Sequence, residues 1–109
     1  HLQYSNMGFV VFYITHPNEE QAQNIASSLI EKRYVACANI YPVGSEYHWN
    51  GKVEKDAEWV SLCKTSYDNI ERVESLVKSI HVYETPCITH WKAAANVEYE
   101  KWILKNVLR

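Results

Sequence analysis

At 109 residues and 47% hydrophobic content, the chain has room for one globular domain with a modest core. Eleven basic residues are dispersed among thirteen acidic ones for a formal net charge of −2, which leaves no polyanion footprint and sets nucleic-acid binding aside. No apolar run approaches the roughly 18 residues that a membrane span requires, so no membrane span is expected.

His1 to Asn6 is polar and shows no signal-peptide pattern. Met7 reads as a natural start, with residues 1–6 a disordered tail or expression remnant and 7–109 a single domain. From Gly8 to His16, Phe9, Val11 and Tyr13 point to one face of a strand and Val10, Phe12 and Ile14 to the other, so the strand should be buried on both sides. Thr15-His16-Pro17-Asn18-Glu19-Glu20 is a strand-to-helix turn with acids at the helix start. Ala22, Ile25, Ala26, Leu29 and Ile30 then follow at helical spacing, to about Tyr34.

Val35 to Trp49 and Lys52 to Thr65 are the arms of a long hairpin closed by Asn50-Gly51, whose residue types reach the positive φ angles of a type I′ turn cheaply. Pro42 and Gly44 predict that the first arm bends or bulges there and continues as an edge toward Trp49. Arms this long project beyond a small domain and expose aromatic surface, which calls for a partner, most simply another copy of the chain. Thr65 or Ser66 is placed to cap a second helix with Ile70, Val73, Leu76, Val77 and Ile80 on its apolar stripe, ending near His81. Tyr83-Glu84-Thr85-Pro86 breaks the chain before a fourth strand, Cys87 to Lys92, and Val97 to Leu108 closes it as a helix. The order βαββαβ plus a terminal helix predicts an α+β, ferredoxin-like sandwich. Its open sheet face is not polar, a conflict that self-association across that face resolves.

The motifs of common catalysts are missing: no GxSxG, no phosphate-binding glycine loop and no HExxH, so an enzyme is not expected. Cys37, Cys63 and Cys87 form no CxxC and leave an odd thiol, which argues for a reducing, cytoplasmic compartment. His16, at a strand end beside a helix start, reads as a neutral imidazole or a solvent-exposed one, and His48 and His90 read as packed or hydrogen-bonded side chains. His81 has two readings: a cation at the negative end of a helix dipole, or a ligand that joins Cys37 or a neighbouring subunit in a copper or zinc site. Trp49, Glu58, Lys64, Tyr83, Glu84 and Trp102 could line an inter-subunit cleft, as aromatic walls with a few charges suit both small-molecule pockets and protein interfaces.

Val35-Ala36-Cys37-Ala38-Asn39-Ile40, Ser45 through Val53, Glu58 through Thr65, His81 through Pro86 and Tyr99 through Ile103 together resemble the CutA family of divalent-cation tolerance proteins, over Phe9 to Leu108. The resemblance implies a ferredoxin-like domain that forms a homotrimer through its long hairpins, similar to PII signalling proteins. It also implies a non-enzymatic part in metal homeostasis, binding copper or related divalent ions with no obligatory cofactor. Ligands proposed in the family fall on Ile14 and on the Ile80-His81 pair, so that only His81 matches, while Cys37 fits the family's Ala-Cys-x-Asn motif. Val82 stands where the family usually has Pro. The second expectation is a PII-like sensor or scaffold that takes a small ligand or a protein partner at clefts between subunits.

Overall fold

Phe9–His16, apolar on both faces, forms β1, the strand around which the others assemble. The computed structural model describes residues 8–109; the expected tail at residues 1–6 lies outside them. Seven regular elements follow the chain: β1, α1 (Glu19–Glu31), β2 (Cys37–Trp49), β3 (Lys52–Thr65), α2 (Ile70–Ile80), β4 (Ile88–Ala93) and α3 (Val97–Lys105). β1 pairs antiparallel with β3, from Val10 opposite Thr65 to His16 opposite Trp59, and antiparallel with β4 on its other side. The resulting order β2-β3-β1-β4 makes a four-stranded antiparallel sheet. The fold is therefore α+β, with three helices.

Alternation along β1 sends Val10, Phe12 and Ile14 toward α1 and α2, where they are buried with Ile25, Leu29, Val35, Cys63, Val73 and Val77. Phe9 and Val11 on the opposite face are buried against Ile103 of α3, with Leu62 and Tyr99 packed alongside. This differs from the expectation that self-association covers the whole open face. The terminal helix covers one end of it, because Ile103 and Tyr99 lie one helical turn apart and share a side. Tyr41 and Trp91 remain exposed.

Several boundaries depart from the sequence pattern for local reasons. Asn18 caps α1 by accepting from the Gln21 N–H at 2.9 Å. The helix stops at Glu31, short of Tyr34, because Arg33 takes a left-handed φ of 61° and the Tyr34 N–H turns back to the Leu29 carbonyl. Neither Thr65 nor Ser66 caps α2 through its side chain. A 3₁₀ turn at Tyr67–Asn69 intervenes, and the Ser66 hydroxyl accepts from Asn69 Nδ2 at 2.9 Å. β4 begins at Ile88 and α3 ends at Lys105, each slightly inside the expected span.

The hairpin turns at Asn50-Gly51, with φ of 53° and 77°. The bend expected at Pro42 and Gly44 is absent, since the register runs unbroken from Cys37 opposite Lys64 to Trp49 opposite Lys52. Counting from the turn, Pro42 falls at a non-hydrogen-bonded pair of an edge strand, where its missing N–H costs no ladder bond. Because β1 ends at the level of Trp59, the hairpin continues past the sheet and stretches the molecule to 49 × 27 × 21 Å. Trp49 is 57% and Val53 59% exposed on this overhang. Among the described residues no helix is long and apolar enough to cross a membrane.

His16, at the end of β1, is 0% exposed. Its Nε2 lies 2.7 Å from Ser61 Oγ, its Nδ1 is buried without a partner among the described residues, and its ring stacks on His81 with centroids 5.2 Å apart. Burial, reinforced by the neighbouring His81, lowers its pKa from 6.5 to about 4. The fold therefore holds His16 neutral, a contribution complete above the unfolded pKa and lost progressively as pH falls from about 6.5 toward 4, at up to about 1 kcal/mol per pH unit. Urea unfolding at a series of pH values should show this decline, and His16→Gln should flatten it; an equally steep decline in the variant would contradict the assignment. Ile103→Ala should cost about 2–5 kcal/mol in the same assay, the range for a buried aliphatic, and a near-neutral effect would show that α3 is not part of the core.

Candidate functional site

Odd residues of β2 and even residues of β3 share one face of the overhanging hairpin, so Tyr47, Trp49, Glu54 and Glu58 look the same way. The segment after α2 crosses in front of them. Its position is fixed by His81, whose Nε2–H donates to the Thr15 carbonyl at 2.7 Å while its Nδ1 accepts the Tyr83 N–H at 3.0 Å. A carbonyl can only accept and an amide N–H can only donate, so this geometry requires the neutral imidazole protonated on Nε2. Tyr83 then packs against the His81 ring and donates its hydroxyl to Glu58 Oε2 at 2.6 Å. Burial, together with that hydrogen bond, pushes the Tyr83 pKa well up. On the hairpin, a hydrogen bond to Asp56 raises Tyr47 to about 12.

These walls enclose a recess of about 680 Å³ lined by Trp49, Glu58, Tyr83 and Glu84 from the sequence-derived set, joined by Tyr47, Glu54 and Cys87. Its size falls in the range of small-molecule sites, roughly 300–1,000 Å³. The alternation of the hairpin identifies Tyr47 and Glu54 once the turn is placed. Nothing in the local sequence pointed to Cys87.

Lys64 and Trp102 lie elsewhere, with Cys37. Lys64 Nζ is 3.3 Å from Asn39 Oδ1 and 3.4 Å from the Tyr99 hydroxyl, and Cys37 Sγ is 3.6 Å from that same hydroxyl. Trp102 stacks on Tyr99 at 5.7 Å. Burial and the Cys37 contact raise the Tyr99 pKa, against the pull of Lys64. The two proposed metal ligands are thus apart: Cys37 pairs with Lys64 at the level of Val11, whereas His81 binds at Thr15, four residues or about 13 Å along the strand. Both His81 nitrogens are engaged within the chain. No three His, Cys, Asp or Glu side chains among the described residues stand together to hold a metal ion. Among the described residues, one chain by itself does not present a closed copper or zinc site.

Comparison with known proteins agrees with this architecture. Residues 10–106 match the family model described as CutA1 divalent ion tolerance protein. The chain is 38% identical over 101 residues to the divalent-cation tolerance protein CutA of Thermotoga maritima, covering 91% of this chain and 99% of that one. The solved divalent cation tolerance protein CutA1 of Thermus thermophilus superposes with a TM-score of 0.87 at 38% identity, over 92% of this chain and 99% of its own. The periplasmic divalent cation tolerance protein CutA of Archaeoglobus fulgidus does so with a TM-score of 0.84 at 38% identity, over 87% and 94%. A match spanning every strand and helix, at these identities, means that the chain belongs to the CutA1 family of divalent-ion tolerance proteins.

Proposed function

We propose that the protein works as a non-enzymatic homotrimer in metal homeostasis, a ferredoxin-like domain whose hairpin overhang is covered by neighbouring copies and whose cargo is copper or a related divalent ion. The observation that carries the assembly is the projecting hairpin, with Trp49 and Val53 more than half exposed beyond the sheet, where an unpaired edge and an aromatic face both call for cover. Static light scattering should then give three times the 12.7 kDa chain mass. The unfolding midpoint should rise with protein concentration, and Trp49→Ser should lower it. A monomeric mass with a midpoint independent of concentration would contradict the assembly.

Within one chain the metal ligands on offer are His81 and Cys37, and the geometry sets their cost. Loading His81 at Nδ1 displaces the Tyr83 N–H, worth about 1 kcal/mol. Cys37 is a free, half-buried thiol, while burial pushes the Cys63 thiol up to about 12 and keeps it inert. Three unpaired cysteines also favour a cytoplasmic setting. Calorimetric titration of Cu²⁺, with Zn²⁺ in parallel, should show a saturable site at a whole-number ratio per chain that is lost in His81→Ala and Cys37→Ala. Unchanged binding in both variants would remove these residues from the site.

The recess supports a second reading, a sensor or scaffold that takes a small ligand or a partner's side chain beside Tyr83 and Glu58. A thermal-shift screen spanning ligands of each charge tests it, because a ligand selective for the folded state must raise the midpoint.

A further inference from the structure

Of the chain's asparagines, Asn50 alone precedes a glycine, whereas Asn24, Asn39, Asn69, Asn96 and Asn106 precede Ile or Val. The side-chain amide of an asparagine can be attacked by the backbone nitrogen of the next residue, and a glycine, having no Cβ, leaves that nitrogen unshielded. The Gly51 N–H also takes no part in the ladder, because a two-residue turn is closed by its flanking pair, here Trp49 and Lys52. What stands against the attack is the backbone of the turn itself. Asn50 has a φ of 53° and Gly51 of 77°, both left-handed. In that region ψ lies at about +47°, which sets the Gly51 nitrogen anti to Asn50 Cβ across the Cα–C bond. A five-membered ring joining that nitrogen to Asn50 Cγ needs the two nearly eclipsed. The closed turn therefore holds the asparagine with the least shielded attacker in a geometry that cannot react.

We propose that Asn50 is a deamidation site gated by the hairpin tip, inert while the turn is closed and committed to a change of the main chain when it opens. On opening, rotation about the Asn50 Cα–C bond brings the Gly51 nitrogen to Cγ. The N–Cγ bond forms and the Cγ–Nδ2 bond breaks; the Gly51 N–H proton passes through water to the departing nitrogen, which leaves as ammonia, and a succinimide remains. Water then opens the ring at either carbonyl. Addition at Cγ restores the ordinary chain with an aspartate at position 50, and Asp-Gly closes the same type of turn. Addition at the backbone carbonyl carries the main chain through the former side chain as an isoaspartyl linkage. That linkage adds one carbon between positions 50 and 51, so the turn no longer spans Trp49 and Lys52 in register. Neighbouring copies over the overhang reduce opening further, and the gate itself lies within one chain.

Peptide mapping by mass spectrometry, with isoaspartyl content measured on the same samples, tests this on the full chain held at neutral pH, folded and in urea. The tip is open for only a fraction of the time, so loss of the Asn50 amide should be at least about tenfold slower in the folded chain than in urea. Lys52→Pro removes the N–H that closes the turn onto Trp49, and it should raise the folded rate at least about fivefold, as for loss of one hydrogen bond. Gly51→Val, measured in urea where folding plays no part, should slow the reaction severalfold, because a branched side chain shields the nitrogen. Equal rates for the unaltered chain folded and in urea would overturn the gate, and this comparison decides whether or not Lys52→Pro folds. A folded rate unchanged by Lys52→Pro would overturn it as well. Retention of the Asn50 amide in urea, or an undiminished rate in Gly51→Val, would remove the Gly51 nitrogen as the attacker and with it the proposal.

Discussion

β1 is apolar on both faces, and that constraint orders the rest of the molecule. A strand of this kind must sit inside a sheet and must be covered twice. α1 and α2 seal one side completely, with Phe12 and Ile14 at 0% exposure. The other side is sealed only where α3 lays Ile103 over Phe9 and Val11. Toward His16 the cover passes to the segment following α2, which is pinned by one hydrogen bond from His81 to the Thr15 carbonyl. The stack of His16 on His81 ties the two covers together at that end, so a buried, neutral imidazole on the helix side supports the ring that positions the recess on the open side.

A mismatch in strand length generates the candidate site. β1 stops at the level of Trp59, while β3 begins at Lys52 and is held there by β2 alone. Glu54 and Glu58 therefore extend past the protection that a central strand would give, and the 82–87 segment closes over them without burying them in the core. Ladder hydrogen bonds carry this overhang and hydrophobic packing from its own chain does not, which is why Trp49 and Val53 stay exposed.

The strands, helices and their order were legible in the sequence because each rests on local chemistry: period-two apolar residues in β1, helical spacing from Ala22 to Leu29, and Asn50-Gly51 at the turn. What failed locally was decided by partners distant in sequence. Pro42 reads as a bend or bulge in an edge until the register is known, since only the pairing shows that its missing N–H faces outward. Ser66 reads as a helix cap until Asn69 occupies its hydroxyl and bridges to the Leu108 carbonyl. The cleft residues share a composition, which the sequence can display, and divide between two places, which it cannot. Trp49, Glu58, Tyr83 and Glu84 meet at the overhang, whereas Lys64 and Trp102 meet Cys37 near α3. His16 reads in the sequence as a neutral or an exposed imidazole, and only its burial against Ser61 and His81, at 45 and 65 positions' remove, decides for the first.

The division of that set bears on how a cation-tolerance protein of this shape handles its ions. Copper binds nitrogen, oxygen and sulfur donors so readily that affinity alone selects nothing, and discrimination must come from geometry. Within one chain, the soft donor Cys37 and the imidazole of His81 are about 13 Å apart along the sheet, and the imidazole already serves the backbone at both nitrogens. A selective inorganic site would therefore need donors from more than one subunit, with Tyr83 giving up its hold on Nδ1 as the ion enters. The same His81 hydrogen bonds that stand against a metal keep Tyr83 against Glu58 at the recess. The tautomer of one histidine thus ties the entry of a metal ion at this end of the sheet to the release of the Tyr83 N–H.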